Sequence, residues 1–555
     1  MCSAGLGKDR EALAILGGFQ RVDPSVAHGA PHAAWLASLA CVKRGGFGRV
    51  DSFQDLNTVG LRASAVVELP GGGSITVRPK RELVSSVGEF EAVLSLETEW
   101  DLGVPHAFRP LTDWTPVVCE VGTSHSPTQW LYLFSALACG YARPHDVLLF
   151  KGDATRRLFA AVTDEWKERF GIQRQCEMLV IPQAVDSRRH HRNEDLRRDV
   201  RARVGIADSA VLFLAFSRLS PGTKGDQLAL LTLWKRAMGH EANAFLILAG
   251  ATVDRHFTED LRRLARQLHI GGSVAVLDDP HSIWPDPGCA LMSAADVFVH
   301  LSTGPEEVAS LVACEAMAYG LPVIGADWSG MSGIVQDGLT GVLVPTYAVA
   351  VPSELRQTLS FGREPSYNAE LSRCVVIDTE KVVESLCDLL QHADRRRAMG
   401  SAARSRAENV LDVNVVSQVR LDVLKHAAQE ARSHWDNSQG RAVRSLVDAN
   451  AIVAALASDA GLEARTVTVG LVDNVRFLPE WSVPGIRPLC DTVIEVANAL
   501  GPASVADLVK NVTSCFEDDG TTDSCAPDAL AGGLTRLCAR LIAFGVLRFK
   551  TAMEH

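Results

Sequence analysis

The stretch from residue 297 to 345, VFVHLSTGPEEVASLVACEAMAYGLPVIGADWSGMSGIVQDGLTGVLVP, constrains this 555-residue chain more than any other. Its opening run, Val297 to Leu301, is too short for a helix and is bounded by Ser302, Thr303, Gly304 and Pro305, so it predicts a buried parallel strand. A loop carrying Glu306 and Glu307 follows. Leu311, Val312, Cys314, Glu315, Ala316 and Met317 then predict a helix that stops at Gly320, and residues 322–326 predict the next strand. The result is one βαβ unit with an acidic loop at the carboxyl end of its first strand and a helix N-terminus beside it. Open α/β sheets bind phosphorylated ligands at that place.

The spacing inside the unit is distinctive. Glu307 and Glu315 enclose seven residues, followed by Ala316-Met317-Ala318, Gly320-Leu321-Pro322-Val323-Ile324 and Leu339-Thr340-Gly341. This composite resembles glycosyltransferase family 4, whose members are retaining enzymes of the GT-B fold that use nucleotide-sugar donors. The resemblance implies that Glu307 lies by the donor sugar and that Glu315 holds the ribose hydroxyls. Such roles suit carboxylates, because one can accept two ribose hydroxyls and another near the anomeric carbon favours developing positive charge. Two positions depart from the family pattern. Ser310 stands where the family usually has a glycine that lets the backbone approach the phosphate, and it keeps a hydrogen-bond donor there. Ser332-Gly333 replaces the family's usual Pro-Glu, so that loop is expected to shape a different pocket.

The chain before this unit alternates apolar runs with helical patterns. Strands are predicted at 12–16, 64–69, 74–77, 92–96, 116–121, 147–150 and 178–182, and helices at 31–42, 128–139 and 154–170. The runs at 64–69 and 74–77, split by Pro70-Gly71-Gly72-Gly73, predict a hairpin on a doubly wound sheet. In this half the resemblance rests on residues 122–126 (GTSHS) and 181–186 (IPQAVD), the second being similar to a family linker. His125 matches a family histidine that faces the donor sugar, where a ring could hydrogen-bond a hydroxyl and fix the pose for attack.

After the linker, residues 188–203 carry both signs of charge and predict a solvated helix. A strand at 211–216 leads into Ser217-Arg218-Leu219-Ser220-Pro221-Gly222-Thr223-Lys224-Gly225-Asp226. The family has an Arg and a Lys-Gly here, and the resemblance implies that Arg218 and Lys224, with Ser310, bind the donor diphosphate. Two cations before the helix 227–238 could stabilise a leaving phosphate without a metal. Strands at 245–249 and 274–277 and helices at 258–269 and 289–295 continue a second Rossmann-like domain. The helix 382–392 and the helical stretch 395–434 are similar to the family's terminal helices, which cross back to the first domain and would form a hinge.

Beyond about residue 440 the resemblance ends. Helical patterns at 486–500, 504–512 and 528–544, with a capping-box-like Ser504-x-x-Asp507 and a strand at 546–550, look like a winged helix. Residues 440–555 hold ten Lys/Arg against fourteen Asp/Glu, which disfavours nucleic acid as the partner. A protein or peptide contact, or self-association as a homodimer, fits this tail better, with the strand edge at 546–549 on offer to a peptide.

The expected architecture is therefore α/β, GT-B, with two Rossmann-like domains facing across a cleft plus the winged-helix-like tail. Its domains are 1–190 for the acceptor, 191–436 for the nucleotide sugar with the crossover helices, and 440–555. The resemblance implies a retaining hexosyl- or related glycosyltransferase that takes a UDP- or GDP-sugar and needs no cofactor or metal. Its acceptor would be a soluble small molecule or peptide. A nucleotide-sugar epimerase of the same fold, or a non-catalytic sugar-nucleotide-binding scaffold whose tail docks a partner, are the alternatives. A net charge of −11 argues against a nucleic-acid partner for the whole chain. No run approaches ~18 apolar residues and no signal-peptide pattern opens the chain, so it reads as cytoplasmic without a transmembrane segment. Thirteen cysteines without a Cys-x-x-Cys pair fit reduced, mostly buried residues rather than a zinc site.

Overall fold

Runs of four to six apolar residues become parallel strands when helices cover both faces, since every side chain then points into a core. In a computed structural model of the chain, two such sheets form. It describes residues 12–16, 47–54, 64–68, 73–80, 82–86, 89–96, 115–122, 127–221, 224–238, 243–252, 254–305, 307–352, 365–435, 466–469, 486–518, 534–535, 537–538, 541 and 547–549. The chain divides into two compact units, Met1–Arg444 and Ser445–His555.

The first sheet of the larger unit holds β1 (Ala12–Leu16), β2 (Arg49–Gln54), β3 (Ala65–Glu68), β4 (Ser74–Pro79), β5 (Ala92–Ser95), β6 (Val117–Val121), β7 (Val147–Phe150) and β8 (Glu177–Val180). Their order is β3-β4-β2-β1-β5-β6-β7-β8. All pairs are parallel except the expected hairpin, where β3 runs antiparallel to β4. The sequence gives no sign of β2, because RVDSFQ alternates polar residues. The strand is nevertheless buried, and Asp51 within it is paired with Arg49 at 3.3 Å and Arg78 at 3.1 Å. Pairing removes most of the penalty for burying that carboxylate. The expected helix at 31–42 lies outside the described residues.

The second sheet comprises β9 (Val211–Phe216), β10 (Ala244–Ala249), β11 (Val274–Leu277), β12 (Val297–His300), β13 (Val323–Ala326) and β14 (Gly341–Val344), all parallel, in the order β11-β10-β9-β12-β13-β14. Alternate residues feed opposite layers. Leu212 and Leu214 enter one core with Phe298 and Met317, whereas Val211 and Phe213 enter the other with Trp234 and Leu261. The helices between strands begin and end where local chemistry dictates. Asn193 caps Glu194–Val204 by accepting from the amides of Asp195 and Leu196 at 2.9 and 3.0 Å, and Gly205 ends that helix at φ 80°.

The helical stretch expected at 395–434 consists of two helices, Ala393–Asn409 and Val413–Trp435. The break serves pairing: Val185 N–H donates to Leu411 O at 2.9 Å, and Val413 N–H donates to Val185 O at 2.8 Å. The two strands of chain that join the sheets are thus hydrogen-bonded to each other, with Ser187 Oγ 2.5 Å from Asp412 Oδ2. Beyond the break, Leu421, Leu424 and Ala427 of the last helix pack into the core of the first sheet beside Leu13, Ile15 and Val118.

The smaller unit contains the helices Ile486–Leu500 and Val505–Asp518 and a three-stranded antiparallel sheet, in which Thr466–Val469 lies between Ala503–Ser504 and Leu547–Phe549. The second helix starts at the expected box: Asp507 N–H donates to Ser504 Oγ at 3.0 Å, and Ser504 Oγ lies 2.7 Å from Asp507 Oδ2. Of the third helical pattern, at 528–544, only residues 534, 535, 537, 538 and 541 are described, all helical. The middle strand was not legible in the sequence. Among the described residues of the whole chain, no helix is long and apolar enough to cross a membrane.

Candidate active site

In the second sheet the chain returns to the middle after β11, so β9 and β12 are neighbours whose following loops diverge. A crevice opens at the carboxyl end of such a pair, where doubly wound sheets take their ligands. Arg218 and Lys224 follow β9, and Glu307 follows β12. Gly225 holds the two loops together. It sits at φ 87°, and a side chain there would meet Leu301 O at 3.1 Å.

Lys224 Nζ lies 3.0 Å from Glu307 Oε2. His300 Nε2, from the end of β12, lies 3.3 Å from the same oxygen. Both Glu307 and His300 are buried. Burial opposes ionisation of Glu307, but Lys224 and His300 outweigh it and hold the carboxyl far below its usual range. The loop itself is fixed from several sides. Trp328 Nε1–H donates to Gly304 O at 3.1 Å, and Thr303 Oγ1 lies 2.9 Å from Ser372 Oγ, on the helix Pro365–Ser372. Gly330 backs it so closely that a Cβ there would fall 1.8 Å from Val308 O.

Ser310 is buried at the start of the helix Leu311–Ala318, where its Oγ accepts from Ala313 N–H at 3.3 Å. The hydroxyl is therefore the helix cap, and its proton remains for a further acceptor. Glu315 lies on the same helix. Burial pushes its carboxyl up to about 7, with Asp286 adding to the shift and Arg189 opposing it. Arg218 is exposed, and among the described residues its guanidinium has no ion-pair partner. His125 lies outside the described residues. The structure therefore brings Lys224 and Glu307 into contact, places Arg218 on the same loop as Lys224, and gives Glu315 surroundings of its own. Among the described residues no group of three His, Cys, Asp or Glu is set to hold a metal ion.

Two features escaped the sequence reading. His300 lies within the run Val297 to Leu301 and carries no motif; only the fold shows what its ring touches. The other is a buried knot in the first domain: Glu120 Oε2 lies 2.5 Å from Lys151 Nζ, and Glu120 Oε1 lies 2.6 Å from Arg420 Nε on the last helix. Burial would raise the Glu120 carboxyl, but Arg420 and Lys151 bring it down to about 2. The knot sits next to the contact between the two domains. A Cβ on Gly152 would fall 2.8 Å from the Gly330 Cα, and Thr155 Oγ1 lies 3.5 Å from Ser329 Oγ.

Comparison with known proteins bears on this site. Residues 197–360, which span the loops of Arg218, Lys224 and Glu307 and the helix of Glu315, match the family model described as glycosyl transferases group 1. The D-inositol 3-phosphate glycosyltransferase of Geodermatophilus obscurus is 30% identical over 220 residues, covering 37% of this chain and 47% of that protein. That of Nocardia farcinica is 29% identical over 185 residues, covering 33% and 39%. The chain thus matches about half or less of the length of these curated relatives. Among solved structures, Anabaena HepE in complex with UDP aligns over 75% of this chain and 99% of its own with a TM-score of 0.51 at 17% identity. The UDP-forming alpha,alpha-trehalose-phosphate synthase of Burkholderia vietnamiensis aligns over 76% and 99% with a TM-score of 0.50 at 12% identity. At such identities the likeness concerns the fold, and the fold of the larger unit is that of the GT-B glycosyltransferases.

Proposed function

We propose that this protein is a retaining glycosyltransferase that moves a hexosyl group from a UDP- or GDP-sugar to a soluble small molecule or peptide. The observation that carries this reading is the meeting of Lys224 and Glu307, 3.0 Å apart, at the switch point between β9 and β12, with Arg218 on the same loop. Lys224, Arg218 and the Ser310 hydroxyl bind the diphosphate and stabilise the charge that develops on it as it leaves. Ionised Glu315 accepts the ribose hydroxyls, Glu307 stands by the sugar, and His125 hydrogen-bonds a sugar hydroxyl. The acceptor oxygen bonds to the anomeric carbon on the face the phosphate leaves, the carbon–phosphate oxygen bond breaks, and a phosphate oxygen takes the acceptor proton. No metal or separate base is then needed.

The test is a panel of UDP-, GDP-, ADP- and TDP-sugars scored for thermal stabilisation and slow donor hydrolysis. A ligand at about 100 times its dissociation constant stabilises by roughly 2.7 kcal/mol. A stabilising donor that is hydrolysed by the wild type and not by Lys224→Ala supports the reading, and no stabilisation by any donor refutes it. Product anomeric configuration, read by NMR, tests retention.

The smaller unit supports a role in recruiting the acceptor. Leu547–Phe549 is an outer strand of its sheet, and an extended peptide can add to such an edge through main-chain hydrogen bonds. A chain ending near residue 434 is expected to keep donor hydrolysis and lose transfer to its acceptor. Loss of nucleotide binding would assign the unit to the structural core instead, and a change from dimer to monomer would assign it to self-association.

A further inference from the structure

Resting on the reading above, we propose that His300 is a positioning residue that holds Glu307 when Lys224 turns to the donor diphosphate. Lys224 has two duties that conflict. Lys224 is bound to Glu307, yet the same ammonium is needed at the phosphate. An ammonium has three donors but a single position, so a shift toward the phosphate weakens its grip on the carboxylate. Glu307 is buried, and a buried carboxylate losing its partner either takes up a proton or changes rotamer. Either change removes negative charge from beside the anomeric carbon.

His300 answers this conflict by its place in the fold. It comes from the last position of β12, fixed by the sheet, whereas Lys224 comes from a loop. Its backbone registers with Gly325 of β13, and its ring lies parallel to that of Phe298, at 6.2 Å between centroids and 11° between planes. The ring is buried and its Nε2 faces the very oxygen that Lys224 holds. With the proton on Nε2, the ring donates to Glu307 Oε2 independently of where Lys224 goes. The strand-borne contact keeps the carboxylate ionised and aimed; the loop-borne contact is free to move. Lys224 and His300 are the charged or titratable groups that face Glu307 among the described residues.

The experiment compares wild type, His300→Gln and His300→Phe in donor hydrolysis across pH, with UDP and GDP affinity measured alongside. Phe removes the donor and keeps an apolar ring in the core; Gln keeps a donor. Expected is a fall in kcat of about 10- to 100-fold for His300→Phe, the range of a misplaced catalytic group, with nucleotide affinity unchanged. Its acid limb in the pH profile of kcat should move upward, because one hydrogen bond to ionised Glu307 is lost. His300→Gln should recover part of both. If wild type hydrolyses donor and His300→Phe matches it in kcat and pH profile, the inference is overturned while the functional reading stands. Equal losses of nucleotide affinity and kcat in both variants would make His300 merely structural and also overturn it. A wild type that binds no nucleotide sugar refutes the functional reading itself.

Discussion

Lys224 and Arg218 share a loop but not a situation: the first is paired with Glu307, and the second is exposed with no ion-pair partner among the described residues. Losing either should cost about 10²-fold or more in turnover, as for one preorganised donor at a developing charge. On the proposed reading Arg218→Ala removes only a donor contact, whereas Lys224→Ala also leaves Glu307 leaning on His300. Steady-state kinetics of both variants checks this. Glu307→Gln is expected to lower kcat far more than nucleotide affinity, and Glu315→Gln the reverse. Glu315 adds a pH signature. Burial pushes its carboxyl up to about 7, and on the proposed reading the ribose hydroxyls need the ionised form, so binding expels a proton. Nucleotide affinity should rise about tenfold per pH unit below 7 and level off above it. Calorimetric titrations at pH 6 and pH 8 read the slope, which Glu315→Gln should abolish. The Glu-x7-Glu spacing was legible because both acids lie on one short loop-and-helix segment. His300 was not, since its meaning depends on an oxygen seven residues away across a turn. The knot of Glu120, Lys151 and Arg420 joins positions 300 residues apart, beyond any local pattern.

At the scale of elements, the second sheet was readable almost strand by strand because strands buried on both faces must be continuous apolar runs. The same rule hid β2, whose buried Asp51 is neutralised by arginines from β2 itself and from β4. It also hid the middle strand of the smaller unit, four residues long and without turn signals the sequence reading could use. The helix Pro365–Ser372 has no part in the motif, yet Ser372 meets Thr303 four residues before Glu307. Ser372→Ala should loosen that loop and lower kcat with little change in nucleotide affinity, which single-turnover kinetics can separate. Removing Ser310's capping oxygen in Ser310→Ala is expected to cost about 0.5–2 kcal/mol of stability, measured by denaturant titration.

Across the whole larger unit, the last helix completes the first sheet. Arg420 lies in the Glu120 knot, and Leu421 and Leu424 lie in the core. Glu120→Gln leaves Lys151 and Arg420 buried without their countercharge and should destabilise by about 3–5 kcal/mol. The acid response has a defined sign. Glu120 is held at about 2 in the folded protein, below its ordinary 4.5, so its stabilisation is complete above that ordinary value. It should fade as the pH drops toward about 2. Thermal denaturation of wild type and Glu120→Gln from pH 6 to pH 3 checks this, and the two curves should converge as the pH falls.

The crossing helix also sets a timetable for synthesis. The eight strands of the first sheet end at Val180, but the helix that seals one of its faces runs from Val413 to Trp435. A ribosome adding about 5–20 residues per second needs roughly ten to fifty seconds to cover that interval. Throughout it, the apolar side chains that Leu421, Leu424 and Ala427 will cover face water or a chaperone. The nascent chain is therefore most vulnerable to aggregation after its first sheet has formed, and a chain stopped at residue 410 should depend on chaperones in a way that one stopped at residue 435 does not.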